Sequence, residues 1–351
     1  MKNFCKTTAW LIITLMCCMV LFAVASPVVA DPYTMIALMP DELAVIAPAI
    51  GVAGLVVNAT NLKAVFTGFK TAFQNSFNGA ETQYQKIATE VPSSTGEEEY
   101  GWFGQIPRLR EWIGDRVVKR LGLHKYSIKN KKFESTIGVD KDKIDDDSYG
   151  LFTPLFSEMG YAAATHPDEL VFALLKDGFT NPCYDGQYFF DTDHPVGNEE
   201  TGITSVSNMQ AGAGNAWFLM DNSRPLKSII FQKRRAYDFK SMTKDDDESV
   251  FMREEFRYGV DARVNAGYAF WQMSFGSKAT LDQANFDAAF EAMTSFKSDE
   301  GRPLGIMPKL LVVGSSNRSA AKAVVEKELL ANGESNTNYK AVEVLVVPWL
   351  D

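Results

Sequence analysis

The sequence is poor in the residues that most often form disulfides or bind transition metals. Its 351 residues include four cysteines and three histidines. Three of the cysteines, Cys5, Cys17 and Cys18, fall within the first eighteen residues, so the rest of the chain contains only Cys183. No disulfide can form within that remainder, and nothing in it indicates adaptation to an oxidising compartment.

Motifs for common chemistries are also lacking. His124, His166 and His194 are too far apart for a helical zinc pattern, and the chain has no glycine-rich phosphate loop and no nucleophile-elbow pentapeptide. The turn GSSN at 314–317 has backbone N–H groups that could face an anion, but such turns are common. The sequence therefore predicts no catalytic residue, no cofactor and no metal ion.

The chain has fewer basic residues (35 Lys and Arg) than acidic ones (44 Asp and Glu). The formal net charge of −9 argues against a protein that coats nucleic acid, because such proteins need a basic surface. One segment departs from this balance, since residues 100–135 contain nine Lys or Arg and three acidic residues. A basic hairpin with buried aromatics is typical of a partner-binding arm, and a solvated sheet face is the alternative.

The first thirty residues have the layout of a secretory signal peptide. Lys2 and Lys6 precede a long apolar run, and small residues follow at positions typical of a cleavage site. An uncleaved membrane anchor of the same length is a second interpretation. Residues 31–60 continue as an apolar linker of uncertain role. The start of the chain thus indicates export, whereas the cysteine content of the body does not.

Several segments carry a helical period. Apolar residues of 61–77 recur at three- and four-residue spacing, which predicts an amphipathic helix. The longest helical pattern covers 145–179 and starts with acidic residues, and Pro167 is expected to kink or restart that helix. Thr280 and Gln283 form a capping-box pair at the start of another helix.

Strand and loop patterns fill most of the remainder. Residues 126–137 are predicted to form strands or a long hairpin. Further strands are predicted at 228–239, 257–275 and 341–350, and loops at 91–99, 197–215 and 242–251. Residues 309–333 are predicted to form a strand, a turn and a helix capped by Gly333. The predicted class is α+β, with one long helix set against sheets.

The stretch NPCYDGQYFFDTDHP at 181–195 concentrates possible ligands. Asp185, Asp191, Asp193 and His194 offer oxygen and nitrogen donors. Asp-Gly and His-Pro are also turn and extended-loop dipeptides, and the aromatic side chains would pack such a loop against the rest of the protein. From the residues alone, a packed loop is the favoured interpretation and a metal site is the alternative.

Four long segments resemble one known family. They are YGWFGQIPRLREW, YSIKNKKFESTIGV, HPDELVFALLKDGFTNPCYDGQYFFDTDHPV and GYAFWQM, and they occur in the family's order. They are similar to the signature segments of phage Mu-like major head subunits, the major capsid proteins of Mu and related prophages. The resemblance runs from about Asn61 to the C-terminus and implies a Hong Kong 97-type capsid fold.

That resemblance implies a domain plan. Residues 61–95 would form the N-terminal arm and 96–135 the E-loop region, which lies over a neighbouring subunit. Residues 136–180 would form the peripheral domain with the long spine helix. Residues 181–351 would form the axial domain, with strands returning to the peripheral domain. The stretch 181–195 would then be a packed inter-domain loop after the spine helix, with its Asp and His residues as candidates for loop-fixing hydrogen bonds rather than metal ligands. The candidate intersubunit contacts in the E-loop region are Trp102, Arg108, Arg110 and Trp112.

The implied function is a structural subunit, not an enzyme. It would assemble with itself into the pentamers and hexamers of an icosahedral shell around the phage genome. Implied partners are a scaffold, a maturation protease, a portal and, through weak non-specific contact, packaged DNA. The mature particle would contain no membrane. The shell would be assembled in the cytoplasm of the bacterial host.

The leader departs from the family pattern, because export would separate the subunit from its partners. One hypothesis is that residues 1–54 come from an early start or a fused upstream frame, with translation beginning near Leu55 or Val56, or at Met35 or Met39. The competing function is an exported or membrane-anchored protein that binds a ligand or metal, which rests on the leader and the Asp/His stretch.

Overall fold

The computed structural model describes residues 59–100, 126–145, 149–198, 202–330 and 332–351. The described helices are α1 (Ala59–Gly79), α2 (Lys141–Asp145), α3 (Tyr149–Lys176), α4 (Glu248–Arg253), α5 (Gln283–Thr294) and α6 (Arg318–Val325). The longer strands are β4 (Lys131–Asp140), β9 (Ile229–Met242) and β10 (Glu255–Tyr268). These confirm a mixed α+β chain, in which α3 with 28 residues is the longest described helix and α1 follows with 21.

The shorter strands complete the element list. They are β1 (Ala88–Pro92), β2 (Glu97–Glu99), β3 (Ser127–Lys129), β5 (His194–Val196), β6 (Thr204–Val206), β7 (Met209–Gln210), β8 (Trp217–Met220), β11 (Ser274–Ser277), β12 (Leu310–Val313) and β13 (Glu343–Val346). Short 3-10 helices connect several of them, including Tyr84–Lys86, Asp177–Phe179 and Ser315–Asn317.

Two main sheets organise the described chain. The first has the order β1-β9-β10-β4, in which β1 runs parallel to β9 and the other neighbours are antiparallel. The second has the order β13-β12-β8-β11-β7 and mixes parallel and antiparallel pairs. Two small pairs, β2 with β3 and β5 with β6, lie outside these sheets.

The long strands of the first sheet bury one face under α1 and α3. Along β10, buried and half-buried residues alternate, as expected where one face is covered and the other faces solvent. Phe69 and Phe73 of α1 pack with Phe156 of α3 and with Phe239 and Tyr258 of the sheet. The apolar stripe predicted on 61–77 is therefore confirmed as a core-facing surface.

The long helix does not restart at Pro167, which was one of the two outcomes predicted there. Residues 149–176 form one continuous helix with Pro154 and Pro167 inside it, so the helix does not restart. A proline there removes one backbone hydrogen bond, but Ala163, Ala164 and Val171 are buried on either side. Burial of that face outweighs the local loss.

Asp168, in the middle of the long helix, binds the turn that follows α1. Its carboxylate is buried and accepts backbone N–H bonds from Gln83 (2.9 Å) and Tyr84 (2.6 Å). Burial raises the Asp168 pKa, and these two hydrogen bonds act in the opposite direction. Asp168 thus fastens the turn after α1 to the middle of α3.

Two predicted loops contain regular structure. Residues 91–99 include the end of β1 and all of β2, whose Glu97 and Glu99 face Lys129 and Ser127 across the β2–β3 pair. Residues 197–215 include β6 and β7, and Asn208 between those strands is fully buried. Cross-strand partners far away in sequence stabilise these pieces, so local composition does not predict them.

Two predicted helix ends are also wrong. The N-cap of α5 is Asp282, whose side chain accepts the Asn285 N–H (2.9 Å), rather than Thr280. Helix α6 ends at Val325, well before Gly333. The Asn336 amide donates to the carbonyl oxygens of Val324 (2.8 Å) and Lys327 (2.7 Å), which terminates the helix early.

Candidate functional site

The candidate intersubunit residues Trp102, Arg108, Arg110 and Trp112 lie outside the described residues. The structure does describe both ends of their segment. Strands β2 and β3 pair antiparallel, and the Tyr126 carbonyl accepts the Tyr100 N–H (2.8 Å). Tyr100 and Ile128 are buried at this junction, and the Tyr100 hydroxyl is 2.8 Å from Gln232 Oε1. The two ends of the segment therefore lie side by side, as the base of the predicted hairpin requires.

Exposed basic residues surround that base. Lys129, Lys131, Lys132 and Arg234 are exposed, and none has an ion-pair partner among the described residues. The neighbouring cations, in contrast, do form ion pairs. Lys233 pairs with Glu90, and Arg235 and Lys240 both pair with Asp261. The first group, Lys129, Lys131, Lys132 and Arg234, is called the basic strip below.

The ligand-rich stretch folds into a compact cluster. Ligand atoms of Cys183, Asp185 and His194 all lie within 4.8 Å of one another. The His194 Nδ1–H donates to Asp185 Oδ2 (2.7 Å), and the Cys183 thiol donates to Asp185 Oδ1 (3.0 Å). His194 also stacks on Trp271, with ring centroids 4.0 Å apart. These three residues are called the loop cluster below.

Asn208 completes the hydrogen bonding around His194. Its Oδ1 accepts the Asp191 N–H (2.9 Å) and lies 3.2 Å from His194 Nε2, while its amide nitrogen donates to the Phe189 carbonyl (2.8 Å). These partners fix the amide orientation, so both ring nitrogens of His194 face acceptors.

The pKa shifts in the loop cluster follow from burial and pairing. Burial acts to raise the pKa of Asp185, but hydrogen bonds from His194 and Cys183 outweigh it, and the pKa lies below its usual value. Burial and the neighbouring Asp185 charge strongly raise the pKa of the Cys183 thiol. A thiol of this kind is a poor nucleophile.

The predicted loop-fixing hydrogen bonds are therefore observed for part of the stretch. Asp185 and His194 come together, and Asp191 accepts backbone N–H bonds from Tyr188 and Thr192. Asp193 lies at the surface, apart from the loop cluster. Sequence reasoning missed Asn208, which belongs to a segment predicted as a loop and is far from the stretch in sequence.

The GSSN turn does hold an anion, and that anion belongs to the same chain. The Asp351 carboxylate accepts the N–H groups of Ser315 (2.7 Å) and Ser316 (3.1 Å) and the Ser316 hydroxyl (2.5 Å). These bonds lower the Asp351 pKa, with the Ser316 hydroxyl contributing most. The Lys176 ammonium at the end of α3 donates to the Asp351 main-chain oxygen (2.5 Å).

The other two histidines take no part in these arrangements. His124 lies outside the described residues. His166 is half-buried, with its Nδ1 2.6 Å from the Tyr237 hydroxyl, and burial lowers its pKa. In the described part of the chain, the loop cluster is the one group of three or more possible metal ligands that come together.

The acidic segment at 242–251 contains more than the predicted loop. It turns at Lys244–Asp247 and then forms α4 at the end of the β9–β10 hairpin. Phe251 and Met252 of α4 are 78% and 70% exposed, although both are large and apolar. Sequence reasoning noted the acidic residues and missed this apolar pair.

No described helix combines the length and the apolar character needed to cross a bilayer.

One known protein family matches almost all of the chain after its first 61 residues. The sequence profile of the family described as "Mu-like prophage major head subunit gpT" matches residues 62–350. The first 61 residues, which include the signal-like leader, lie outside that match.

Two curated relatives agree with the family assignment. The major capsid protein of Escherichia phage Mu is 42% identical over 290 residues, covering 81% of this chain and 95% of the relative. The Mu-like prophage FluMu major head subunit of Haemophilus influenzae is 45% identical over 277 residues, covering 77% of this chain and 90% of the relative.

Solved capsid structures show the same fold. The subunit in the procapsid of bacteriophage JBD30 is 50% identical with a TM-score of 0.76, covering 84% of this chain and all of that one. The subunit in the JBD30 capsid is 38% identical with a TM-score of 0.68, covering 85% of this chain and all of that one. The predicted Hong Kong 97-type capsid fold is confirmed, and these likenesses give no support to an exported ligand- or metal-binding protein. The chain belongs to the Mu-like prophage major head subunit family.

Proposed function

We propose that this chain is the major capsid protein of a Mu-like phage or prophage and that it assembles with itself into a closed shell around the genome. The observation that carries the proposal is the likeness to a subunit in the JBD30 procapsid, which extends over the whole of that subunit. We infer for 61–351 an arm, an E-loop region, a peripheral domain with a spine helix and an axial domain, and the same likeness supports this inference.

The role is structural rather than catalytic. The most crowded polar group among the described residues, the loop cluster, is closed by its own hydrogen bonds and contains a thiol whose pKa is raised. A shell subunit needs surfaces that bind copies of itself, and the E-loop region between Tyr100 and Tyr126 supplies one in this proposal. Trp102, Arg108, Arg110 and Trp112 would contact the neighbouring subunit there.

Packaged DNA is a weak, non-specific partner in this proposal. The net charge of −9 opposes tight binding, and the basic strip offers four exposed cations without ion-pair partners among the described residues. Contacts of this kind release counterions, so their affinity falls as salt rises. DNA binding by particles at 50 and 200 mM salt measures this, and binding that is independent of salt would contradict it.

A scaffold, a maturation protease and a portal are the remaining partners that we infer for assembly in the host cytoplasm. Genes for such proteins beside the gene for this chain would support the inference. Mass spectrometry of purified particles identifies the N-terminus of the assembled subunit. Peptides from residues 31–54 in those particles would contradict a start near Leu55.

The direct test of the proposed function is electron microscopy of the full chain expressed together with its scaffold. We expect rings, tubes or closed shells. A stable monomer that binds a divalent ion tightly would contradict the proposal and favour the ligand-binding alternative.

A further inference from the structure

Two arginine side chains meet beside a glycine next to the β2–β3 pair. A Cβ atom built on Gly96 would lie 3.6 Å from Arg263 Nη2 and 4.0 Å from Arg234 Nη1. Apart from the neighbours of Gly96 in the chain, these are the only heavy atoms of the described residues within 4 Å of that position. The two guanidinium groups therefore border one small open space, which is called the guanidinium site below.

A β-bulge brings Arg234 to this space. The β9–β10 register pairs Arg263 with Arg235 and Val264 with Lys233, so Arg234 is the extra residue between those two pairs. The extra residue of a bulge leaves the regular ladder of the sheet, and bulges re-aim side chains next to functional sites. The meeting of Arg234 with Arg263 thus depends on a local irregularity of strand β9.

Neither arginine of the guanidinium site is neutralised by the described residues. Arg234 and Arg263 form no ion pair among them, and the Arg263 Nε is buried without a hydrogen-bond partner. Lys132 lies directly opposite Arg263 on β4 and is exposed, which adds a third cation. Like charges on facing strands destabilise a sheet, so a bound anion would relieve this arrangement.

The carboxylates closest in sequence to Gly96 have other partners. Glu98 Oε1 accepts the Ser94 N–H (2.7 Å), and the Glu97 carboxylate accepts the Ser127 hydroxyl. Neither carboxylate forms an ion pair with the two arginines. The positive charge of the guanidinium site is therefore available to a ligand from outside the chain.

We propose that Arg234 and Arg263, together with Lys132, bind one phosphate group at the guanidinium site. A guanidinium presents N–H donors in a planar fork that matches the oxygens of an oxyanion. A phosphate group has oxygens in several directions, so it can accept from two guanidinium groups that come from different strands, whereas a carboxylate has two oxygens in one plane. Three cations also suit a group that carries more than one negative charge at neutral pH.

This inference goes beyond the proposed function and does not depend on it, because the whole site lies within one subunit. Free phosphate and the phosphodiester groups of nucleic acid share the chemistry that the site recognises. The test below therefore uses both as probes.

Calorimetric titration of the unassembled full chain with inorganic phosphate, at constant ionic strength, tests the proposal. We expect saturable binding of one phosphate per chain. Arg234→Gln and Arg263→Gln should each raise the Kd about tenfold or more, because a hydrogen bond to a charged group typically contributes at least the ~1.4 kcal/mol equivalent to a factor of ten. The thermal midpoint of Arg234→Gln in chloride should not fall, since the substitution removes one of two like charges.

Arg257→Gln is the matched control for these variants. Arg257 lies on the same face of β10 as Arg263, but it pairs with Glu255 (3.1 Å) and is six residues away from the site. Its substitution should leave the Kd for phosphate unchanged. An equal loss of affinity in this control would assign the binding to the overall charge of the sheet and would overturn the proposal.

A short oligothymidylate, titrated in the same way, identifies the source of the phosphate group. Binding of inorganic phosphate alone that requires both arginines assigns the site to free phosphate. Binding of the oligothymidylate that requires both arginines assigns it to nucleic acid. If neither probe binds, or if both probes bind equally well to Arg234→Gln and Arg263→Gln, the proposal is wrong.

A substitution at Gly96 gives a second, independent measure. Gly96→Asp places a carboxylate of the chain itself between the two guanidinium groups, so it should abolish phosphate binding. In chloride it should raise the thermal midpoint by roughly 1–2 °C relative to Gly96→Asn, which adds a side chain of the same size without the charge. Equal midpoints for the two variants, with phosphate binding retained in Gly96→Asp, would show that the arginines do not converge at this position.

Discussion

The loop cluster and the end of the β9–β10 hairpin at 242–255 are both crowded with carboxylates and aromatic or apolar side chains, yet their interactions are opposite. In the loop cluster, Asp185 accepts from both His194 and Cys183, and His194 is fully buried. At the hairpin end, Phe251 and Met252 are exposed, and so are Asp245, Asp246, Glu248 and Glu254. The polar groups of the first region are satisfied within one subunit, whereas the second leaves large apolar side chains in solvent.

A sequence segment crowded with ligand-type residues is not, for that reason alone, a binding site. Residues 181–195 contain the more obvious ligand types, but their partners are supplied by the same chain, including Asn208 and Trp271. Residues 242–255 resemble an ordinary acidic loop in the sequence. Only the fold shows that Val250 anchors this segment and that Phe251 is directed outward.

The largest effect should come from reversing charge in the E-loop region. Arg108→Glu with Arg110→Glu should lower particle yield by about tenfold or more, since like charges brought together across an interface cost several kcal/mol. The yield is measured by sedimentation and electron microscopy. The unfolding midpoint of the unassembled subunit should not change, and normal assembly would count against the arm assignment.

His194→Ala should have the largest effect on subunit stability. It leaves the buried Asp185 carboxylate without its main partner, which typically lowers the free energy of unfolding by about 3 kcal/mol. Denaturant unfolding of the unassembled chain measures the change. Asp193→Ala, at an exposed position of the same stretch, should leave stability unaltered, and equal effects of the two substitutions would contradict the closed loop cluster.

The stabilising contribution of Asp185 should depend on pH. Because its pKa is lower in the folded subunit than in the unfolded chain, the ionised carboxylate stabilises the fold above about pH 4, and this contribution is lost as pH falls through the folded-state pKa. Asp185→Asn should therefore lower the thermal midpoint at pH 7 and differ less from the wild type as pH approaches 3. A constant difference across that range would contradict the pairing.

The smallest predicted effect concerns the Asp351 carboxylate on the GSSN turn. Asp351→Asn removes the charge but keeps one acceptor, and the site is exposed, so the thermal midpoint at pH 7 should fall less than for His194→Ala. The lowered Asp351 pKa predicts that the difference from wild type shrinks below about pH 4. A larger fall than for His194→Ala would reverse the ranking.

Periodicity predicted the parts of the fold in which neighbours in sequence share one buried face. Helix α1, the long helix α3 and strands β9 and β10 were predicted at close to their observed positions. Details that depend on distant partners were not predictable, as the continuous helix through Pro167 and the early end of α6 at Asn336 illustrate. The candidate contacts from Trp102 to Trp112 came from family resemblance alone and stay predictions.

The functional residues divide in the same way into those predictable from sequence neighbours and those that depend on distant partners. The hydrogen bonds of Asp185 and His194 were expected from their turn-forming neighbours, whereas Asn208 and the exposed Phe251 were not. An apolar residue after an acidic run has the same local pattern whether its side chain packs inward or outward. The direction is decided by which neighbour, here Val250, reaches the core.

Hydrogen–deuterium exchange, compared between the unassembled subunit and the assembled particle, tests the contrast between these regions most directly. We predict that assembly slows exchange at 245–254 and within 100–135, while 181–196 exchanges equally slowly in both states because its hydrogen bonds are already satisfied. Slower exchange at 181–196 on assembly, with no change at 245–254, would contradict the account.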